Sequence, residues 1–150
     1  MHNWFLSKVQ YEKTLESGMQ KKVTEPYLVD ALSFTEAEAR TIEEIKPYVS
    51  GEFTIADISR YPLNELFFNE NGDRFYKAVI AFITLDERSG SEKKTKVNML
   101  AQASDLQNAK DIIVKGMEGT LADYEIIEVK ETPIMDVFPY SEDSIKKIII

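Results

Sequence analysis

The chain contains the block Pro62-Leu-Asn-Glu-Leu-Phe67 and, 71 residues further on (133 − 62 = 71), the block Pro133-Ile-Met-Asp-Val-Phe138. Both blocks follow one pattern of proline, aliphatic residue, any residue, acid, aliphatic residue and phenylalanine. This pattern is more specific than the periodicity that two strand-rich segments share by chance. A repeat at a fixed spacing indicates a duplicated structural unit. The sequence therefore predicts that the fold consists of two copies of one unit.

The same displacement aligns similar residues outside the block. Near Phe34 and Leu106 the displacement becomes 72, as a one-residue insertion in a loop would cause. We therefore place repeat one at 1–71, repeat two at 72–140 and a C-terminal extension at 141–150. The aligned pairs include Trp4-Phe5 with Phe75-Tyr76, Val9 with Ile80, Glu16 with Glu87, Lys22 with Lys93 and Phe53 with Tyr124.

Each repeat opens with a pattern typical of a β-hairpin. Partial alternation of β-branched and aromatic residues with polar ones predicts two strands, and Glu16-Ser17-Gly18 predicts the first turn. The segment Ala78–Ile83 is apolar at every position, which favours a strand in the middle of its sheet. The predicted hairpins pair Trp4–Thr14 with Lys21–Ala31, and Arg74–Leu85 with Lys94–Ala103.

A helix follows each hairpin. Thr35 with Glu38 three residues later predicts the first helix start, and Pro47 its end. The second helix is expected to start at Ser104 or Asp105. The residues predicted to face the interior are Ala39, Ile42 and Ile45 in the first helix, and Leu106, Ala109, Ile113 and Met117 in the second.

Two further strands complete each repeat, at Glu52–Ser59 and Pro62–Phe68 in the first copy and at Asp123–Lys130 and Pro133–Tyr140 in the second. Asn71-Gly72 has the sequence of a type I′ hairpin turn, so the copies are expected to join without a flexible linker. The fold class predicted is α+β: a tandem duplication of a ββαβ(β) unit forming one pseudo-twofold domain over 1–150, with an antiparallel sheet and two helices.

The C-terminal extension contains the apolar and basic run Ile145-Lys-Lys-Ile-Ile-Ile150. We expect this run to pair with a sheet edge, since a free apolar strand promotes aggregation. The alternative is a partner-binding segment.

Composition limits the possible functions. Eighteen Lys+Arg against 26 Asp+Glu give a formal charge of −8, which disfavours nucleic acid and anionic membrane surfaces as partners. There are no cysteines, so thiolate chemistry and Cys-ligated metals are excluded. No secretory signal pattern or membrane-length apolar run is present, so we expect a cytoplasmic protein without a membrane partner. No motif calls for a cofactor.

The inventory of catalytic side chains is small. His2 is the one histidine, and its place beside Met1 predicts a loosely held side chain without a chemical role. The duplication pairs Glu65 with Asp136. If the copies bring the two acids together, they could form a metal site or the active site of a carboxylate-dependent hydrolase. The plainer interpretation places Glu65 and Asp136 on solvent-facing strand positions, and the second acidic pair, Glu16 with Glu87, in hairpin turns.

Aromatic and basic residues are the candidates for binding. Eight rings lie at equivalent places in the two copies: Trp4, Phe5, Phe67, Phe68, Phe75, Tyr76, Phe138 and Tyr140. Trp4, Phe68, Tyr76 and Tyr140 are the candidates among them for an exposed ring patch, although most large rings fill cores. Lys22, Lys93 and Arg60 are candidates for contacting a small anionic ligand. The alternative for the lysines, together with Lys21, Lys94 and Lys96, is a role as solvated edge-strand residues that discourage pairing.

Four stretches carry a resemblance to an uncharacterised family, a domain of unknown function, of small proteins from Bacteroides-type gut bacteria and their phages or prophages. The resemblance covers the chain to about Tyr140 and implies a mobile-element setting without implying any activity, cofactor or catalytic residue. The stretches are Trp4–Leu15, Thr24–Arg40, Glu65–Arg74 and Met135–Tyr140.

These observations favour a non-enzymatic binding or interaction protein that self-associates or binds a protein partner, in the manner of a phage or prophage accessory factor acting on a host component. One alternative is a protein that binds or sequesters a small, nucleotide-type ligand. The other is the carboxylate or metal-dependent hydrolase at Glu65 and Asp136.

Overall fold

The computed structural model describes residues 2–141 and 146–148, and its fold is α+β as predicted. Its contacts divide the chain into two compact units, and each unit is built from two separate segments. Unit 1 comprises Met1–Pro62 and Pro133–Ser144, and unit 2 comprises Leu63–Thr132 and Ile145–Ile150. In the part of the chain that is described, neither helix is long and apolar enough to cross a membrane.

Unit 1 contains a four-stranded sheet in the order β3-β1-β2-β8 and one helix. Its elements are β1 (Trp4–Thr14), β2 (Gln20–Asp30), α1 (Phe34–Ile45), β3 (Phe53–Arg60) and, from the second half of the chain, β8 (Asp136–Phe138). The predicted hairpin of β1 and β2 is confirmed, with Trp4 opposite Asp30 and Thr14 opposite Gln20. Gly18 occupies the left-handed region (φ 84°) in the predicted turn.

Unit 2 repeats this arrangement in a sheet with the order β7-β5-β6-β4-β9. Strand β5 lies between β6 and β7, as its apolar sequence predicts. The elements of unit 2 are β4 (Glu65–Phe68), β5 (Arg74–Leu85), β6 (Glu92–Ala103), α2 (Leu106–Gly116), β7 (Asp123–Glu131) and β9 (Lys146–Lys147).

The two proline-led blocks are exchanged between the units. Strand β4 follows β3 in the chain but pairs in parallel with β6, and β8 follows β7 but pairs in parallel with β2. The predicted antiparallel pairing is confirmed for the hairpins and the outer strands, whereas the short strands β4 and β8 pair in parallel. Each exchanged strand starts with an equivalent backbone hydrogen bond, from Asn64 N to Asn98 O (2.8 Å) and from Met135 N to Pro26 O (2.9 Å). The units consequently do not coincide with the repeats at 1–71 and 72–140.

Both exchanged strands carry the final phenylalanine of the block into a core. In unit 2, Phe67 is 1% exposed and packs against Gly116 of α2, where an added Cβ would lie 2.5 Å from the ring. In unit 1, Phe138 joins the core and stacks on Tyr27 of β2, with ring centroids 5.8 Å apart. The phenylalanine that ends each proline-led block thus packs in the core of the unit whose hairpin comes from the other half of the chain.

The outer strands β3 and β7 contain a β-bulge at the same place in each copy. Ala56 is the extra residue opposite Lys8 and Val9, and Ile127, displaced by 71 residues (127 − 56 = 71), is the extra residue opposite Val79 and Ile80. Bulges on outer strands discourage pairing with another chain. A duplication would produce this correspondence; the duplication and the single domain with one shared interior stay predictions.

The helix starts differ partly from their prediction. Ser33, not Thr35, caps α1, because its hydroxyl accepts from Glu36 N (3.1 Å) while Glu36 accepts from Leu32 N. This start turns Ala37, Thr41 and Ile45 inward, whereas Ala39 is exposed and Ile42 half-buried.

Helix α2 begins after Asp105, one of the two predicted starts, and its buried face is Ala109, Ile112, Ile113 and Gly116. The predicted core residue Leu106 is instead 50% exposed. Its position immediately after the cap places it on the outer side of the first turn.

The Asn71-Gly72 turn was predicted wrongly. Strands β4 and β5 do not pair with each other, and within residues 2–141 and 146–148 every positive φ belongs to a glycine, whereas a type I′ turn would need one at Asn71. Gly72 is instead required by close packing, because a Cβ there would lie 2.5 Å from the backbone nitrogen of Ala103. The side chain of Gln102 holds the loop by accepting from Asn69 N (3.1 Å) and donating to Gly72 O (3.1 Å).

Replacing Gly72 with alanine should therefore destabilise the protein, whereas Asn71→Ala should have little effect. Overpacking against backbone that cannot move typically costs about 1–3 kcal/mol. Chemical denaturation of both variants checks this expectation. A type I′ turn would instead make Asn71→Ala destabilising as well, and equal losses for the two variants would contradict the packing explanation.

Candidate functional site

The four candidate ring residues do not form one exposed patch. Trp4 and Tyr76 are only 5% and 4% exposed, so these two are core residues and the prediction of exposed rings was wrong for them. Phe68 is half-buried and Tyr140 is 47% exposed. Trp4 and Tyr140 belong to unit 1, and Phe68 and Tyr76 belong to unit 2.

His2 is held more firmly than its position predicts. Its Nδ1 hydrogen bonds to the carboxylate of Asp30, and its ring stacks on Trp4 with centroids 5.1 Å apart. Asp30 is 3% exposed and also accepts from Asn3 N at 3.1 Å. The expectation of a loosely held side chain was wrong because the buried carboxylate of Asp30, at the end of β2, needs a hydrogen-bonding partner and His2 supplies one.

The basic candidates Arg60 and Lys22 lie toward opposite ends of the sheet of unit 1, and Lys93 belongs to unit 2. Arg60 ends β3, where its guanidinium lies 5.3 Å from the ring centroids of both Phe5 and Phe34. Lys22 is exposed on β2, and Lys93 is exposed on β6 of the other unit. Strand β8 pairs with β2 only at Tyr27–Val29, and β4 pairs with β6 only at Met99–Ala101. Lys22 and Lys93 therefore lie on stretches with a strand on one side only, which agrees with the alternative role of these lysines as solvated edge-strand residues.

Lys22 lines an open groove of about 600 Å³ in unit 1. Polar side chains dominate its wall, and it lies where β1 ends and β2 and β3 begin. Glu12 and Glu52 contribute two carboxylates against the one ammonium of Lys22, so the groove does not favour an anion. The complete lining is Gln10, Tyr11, Glu12, Gln20, Lys22, Ser50, Gly51, Glu52, Phe53 and Thr54.

Tyr11, which lines this groove, and Tyr27 of β2 both have a raised pKa. The hydrogen bond that Tyr11 Oη donates to Glu25 (2.6 Å) raises the pKa of Tyr11 to about 12, assisted by burial and by the charge of Glu25. Burial, followed by the charge of Glu25, raises the pKa of Tyr27 to about 12. Both phenols therefore stay neutral at physiological pH and act as fixed hydrogen-bonding groups, not as bases.

The paired carboxylates belong to the sheets of different units. Glu65 lies opposite Met99 in unit 2, and Asp136 lies opposite Tyr27 in unit 1. Among residues 2–141 and 146–148, no group of three or more His, Cys, Asp or Glu side chains is placed to hold a metal ion. Glu16 and Glu87 are exposed in the two hairpin turns, as their plainer interpretation states.

The outer edge of β8 in unit 1 is closed by its own side chains. Arg40 of α1, 18% exposed, donates to Phe138 O (3.4 Å), Pro139 O (3.2 Å) and the carbonyl of Asp30, and its guanidinium lies 4.5 Å from the ring centroid of Tyr140. Pro139 has no N–H to offer. The Val137 amide donates to the Asp136 carboxylate (2.8 Å). A strand arriving at this edge would therefore find no free amide at Val137 or Pro139, and the carbonyl groups of Phe138 and Pro139 already bonded.

The corresponding edge in unit 2 is not closed in this way. The position of Pro139 is taken by Phe68 (139 − 71 = 68), which has an N–H. The helix caps Ser33 and Asp105 differ by 72, so the position of Arg40 is taken by Ile112, a buried residue without a donor. Phe68 therefore keeps an N–H at the edge of β4, and the extension pairs with this edge.

The tail, residues 141–150, supplies the strand that covers β4. As predicted for the run Ile145–Ile150, Lys146 and Lys147 pair with this edge, in parallel opposite Phe67 and Phe68; residues 145, 149 and 150 lie outside the described residues. Ile148 N donates to Phe68 O (2.7 Å), and its side chain, 7% exposed, joins the core of unit 2. A cavity of about 140 Å³ remains beside this contact, lined by Phe68, Asn69, Glu70, Asn71, Lys147 and Ile148.

The contact between the tail and β4 has a small stabilising energy. Burying one isoleucine side chain contributes about 1.5–3 kcal/mol. The pair Lys147 Nζ–Glu70 Oε1 (3.4 Å) joins side chains 45% and 82% exposed, and such surface pairs contribute about 0–1 kcal/mol. Because the ladder has only two residue pairs, we expect it to open without unfolding of the unit.

The model of the family described as Domain of unknown function (DUF4494) matches residues 3–140. The chain belongs to this family. The DUF4494 match includes all elements from β1 to β8 and ends before β9, so the closed edge of β8 and the edge of β4 lie inside it and the covering strand lies outside it. Searches of curated proteins and of solved structures gave no match.

Arg40 is the functional candidate that sequence reasoning missed. The aligned helices contained a signal: position 40 is arginine where the second copy has Ile112, between inward-facing positions 37 and 41. A long cation between inward-facing helix positions indicates bound carbonyl groups or carboxylates. The carbonyl groups it binds became apparent only with the strand exchange.

Replacing Arg40 with glutamine should destabilise unit 1 by about 1–3 kcal/mol, because buried carbonyl groups of Asp30, Phe138 and Pro139 lose a charged donor. Glu44→Gln is the matched control, since Glu44 lies 4.0 Å from the guanidinium and is 43% exposed. Urea denaturation of both variants measures the difference. Equal effects of the two substitutions would show that the ion pair, and not the carbonyl groups, accounts for the role of Arg40.

Proposed function

We propose that this protein is a non-enzymatic binding protein that takes up an extended segment of a protein partner by strand addition at the outer edge of β4. The observation that carries the proposal is the difference between the two exchanged strands. Arg40, Pro139 and Asp136 close the edge of β8, whereas the edge of β4 holds a short added strand. Strand addition obtains affinity from backbone hydrogen bonds and specificity from the alternating side-chain pockets.

The chemistry around β4 defines the segment that fits. One position must be apolar, since Ile148 enters the core beside Phe67 and Tyr76. The preceding position favours a cation, since Lys147 lies beside Glu70. The partner segment is therefore extended and basic-then-aliphatic, and its polypeptide nature follows from the backbone groups it must pair with.

The resemblance noted in the sequence supports a setting for this activity. A small acidic domain from a phage or prophage of a Bacteroides-type bacterium would act in the host cytoplasm as an accessory factor on a host protein. Binding by strand addition suits such a role because it needs only an exposed extended segment on the target.

The two alternatives have less support. The groove at Lys22 carries more negative than positive charge, so it does not favour a nucleotide-type ligand. The hydrolase depends on Glu65 and Asp136 acting together, and these belong to sheets of different units. Neither alternative uses the difference between the edges of β4 and β8.

Ile148→Asp in the full chain should release the tail, because a carboxylate cannot enter the core of unit 2. The released edge should then bind a fluorescent peptide with the sequence of residues 144–150 at least tenfold more tightly than the wild-type chain, whose own tail competes. Fluorescence anisotropy measures the affinities. Leu121→Asp, at a fully exposed leucine of the same unit, is the control and should bind as the wild type does.

A second variant identifies the edge that binds. Phe68→Pro copies the closed edge of β8 and, combined with Ile148→Asp, should abolish peptide binding while the chain still melts cooperatively. The proposal is wrong if Ile148→Asp binds the peptide no better than Leu121→Asp, or if the double variant binds it as well as Ile148→Asp does.

A further inference from the structure

We infer that the tail of a second copy of this chain is a partner segment for the edge of β4, so that two copies exchange tails and form a dimer. This inference rests on the proposed function and names its partner. The tail of each chain already pairs with this edge in its own unit 2. Ile148 N donates to Phe68 O at 2.7 Å, and the Ile148 side chain is buried.

Charge favours the encounter of a tail with another copy. The chain as a whole carries a formal charge of −8, whereas the pairing part of the tail contains Lys146 and Lys147. Glu70, 82% exposed, and the exposed Asp73 lie in the loop that follows β4. A basic segment approaching an acidic edge is attracted, whereas two acidic bodies otherwise repel each other.

The geometry of the edge permits one exchange for each chain. Among the described residues of each chain, the edge of β4 accepts a strand and Lys146–Ile148 supply it, while Arg40 and Pro139 keep the β8 edge closed to the same segment. Since the same contact made in cis is made in trans, the exchanged dimer creates no new interface chemistry, and reciprocal exchange closes the assembly at two copies. The small cis contact makes the exchange accessible from the folded state.

Complementary variants test the exchange. The Ile148→Asp chain has a vacant edge and a tail that cannot dock, whereas the Phe68→Pro chain has a blocked edge and an intact tail. Each variant alone should sediment as a monomer, and an equimolar mixture should give a species of twice the mass in analytical ultracentrifugation. A mixture that stays monomeric although Ile148→Asp binds the tail peptide would overturn the exchange and leave the strand-addition function standing. Loss of peptide binding as well would overturn both.

The absence of native cysteine allows an independent measurement that does not need Phe68→Pro. Full chains carrying Lys147→Cys and Glu70→Cys are mixed and treated with a short bismaleimide. The two variants should be linked to each other, while Lys147→Cys mixed with Glu118→Cys, at an exposed site elsewhere in unit 2, should give only background linkage. Equal linkage in the two mixtures would contradict the exchange.

Discussion

The parallel pairing of a short strand with the inner strand of a hairpin from the other half of the chain is the constraint on which the structure depends. Without β8 and β4, the backbone groups on one side of β2 and β6 would lack partners next to Leu28 and Leu100, which are 0% exposed. Unpaired backbone groups at buried positions are strongly unfavourable. Each half therefore needs the proline-led block of the other, and each block ends with the phenylalanine that completes the receiving core.

The exchange leaves one short strand at an edge of each sheet, β8 in unit 1 and β4 in unit 2, and the residues around these two edges differ. In unit 1 a single arginine binds the carbonyl groups at the end of β8, with Tyr140 against its guanidinium and a proline where an amide would otherwise point outward. In unit 2 the corresponding residues are Ile112 and Phe68, and the missing hydrogen bonds come from Lys146–Ile148. A folded protein manages an exposed edge either by closing it or by covering it. Only a covered edge can be uncovered again, which is the physical basis of the proposed binding function.

Local sequence patterns predicted the elements well where the interactions are local. The alternation in β1 and β2 and the glycine at position 18 were enough to predict the first hairpin. The 71-residue spacing then predicted the second hairpin at β5 and β6. The sequence offers two starts for α1, because Ser33 with Glu36 and Thr35 with Glu38 form overlapping capping patterns. Burial decides between them, since only the first turns Ala37 and Thr41 inward.

Interactions between distant segments were not predictable in the same way. Asn71-Gly72 has the local sequence of a hairpin turn, yet packing against Ala103 explains its glycine and β4 pairs with β6. Two of the binding candidates failed for a related reason: Trp4-Phe5 aligns with Phe75-Tyr76 because all four residues are core positions. Arg40 could be recognised only once the strand whose carbonyl groups it binds was known to come from the other half of the chain.

Amide hydrogen exchange at Ile148 tests most directly whether the edge of β4 is an acceptor that the tail covers reversibly. The account predicts that the Ile148 amide, bonded to Phe68 O, is protected, with an opening free energy well below that of the Leu100 amide in the middle of the sheet. Exchange of Ile148 at the rate of an unstructured peptide would contradict the covering contact, and exchange as slow as that of Leu100 would contradict its reversibility.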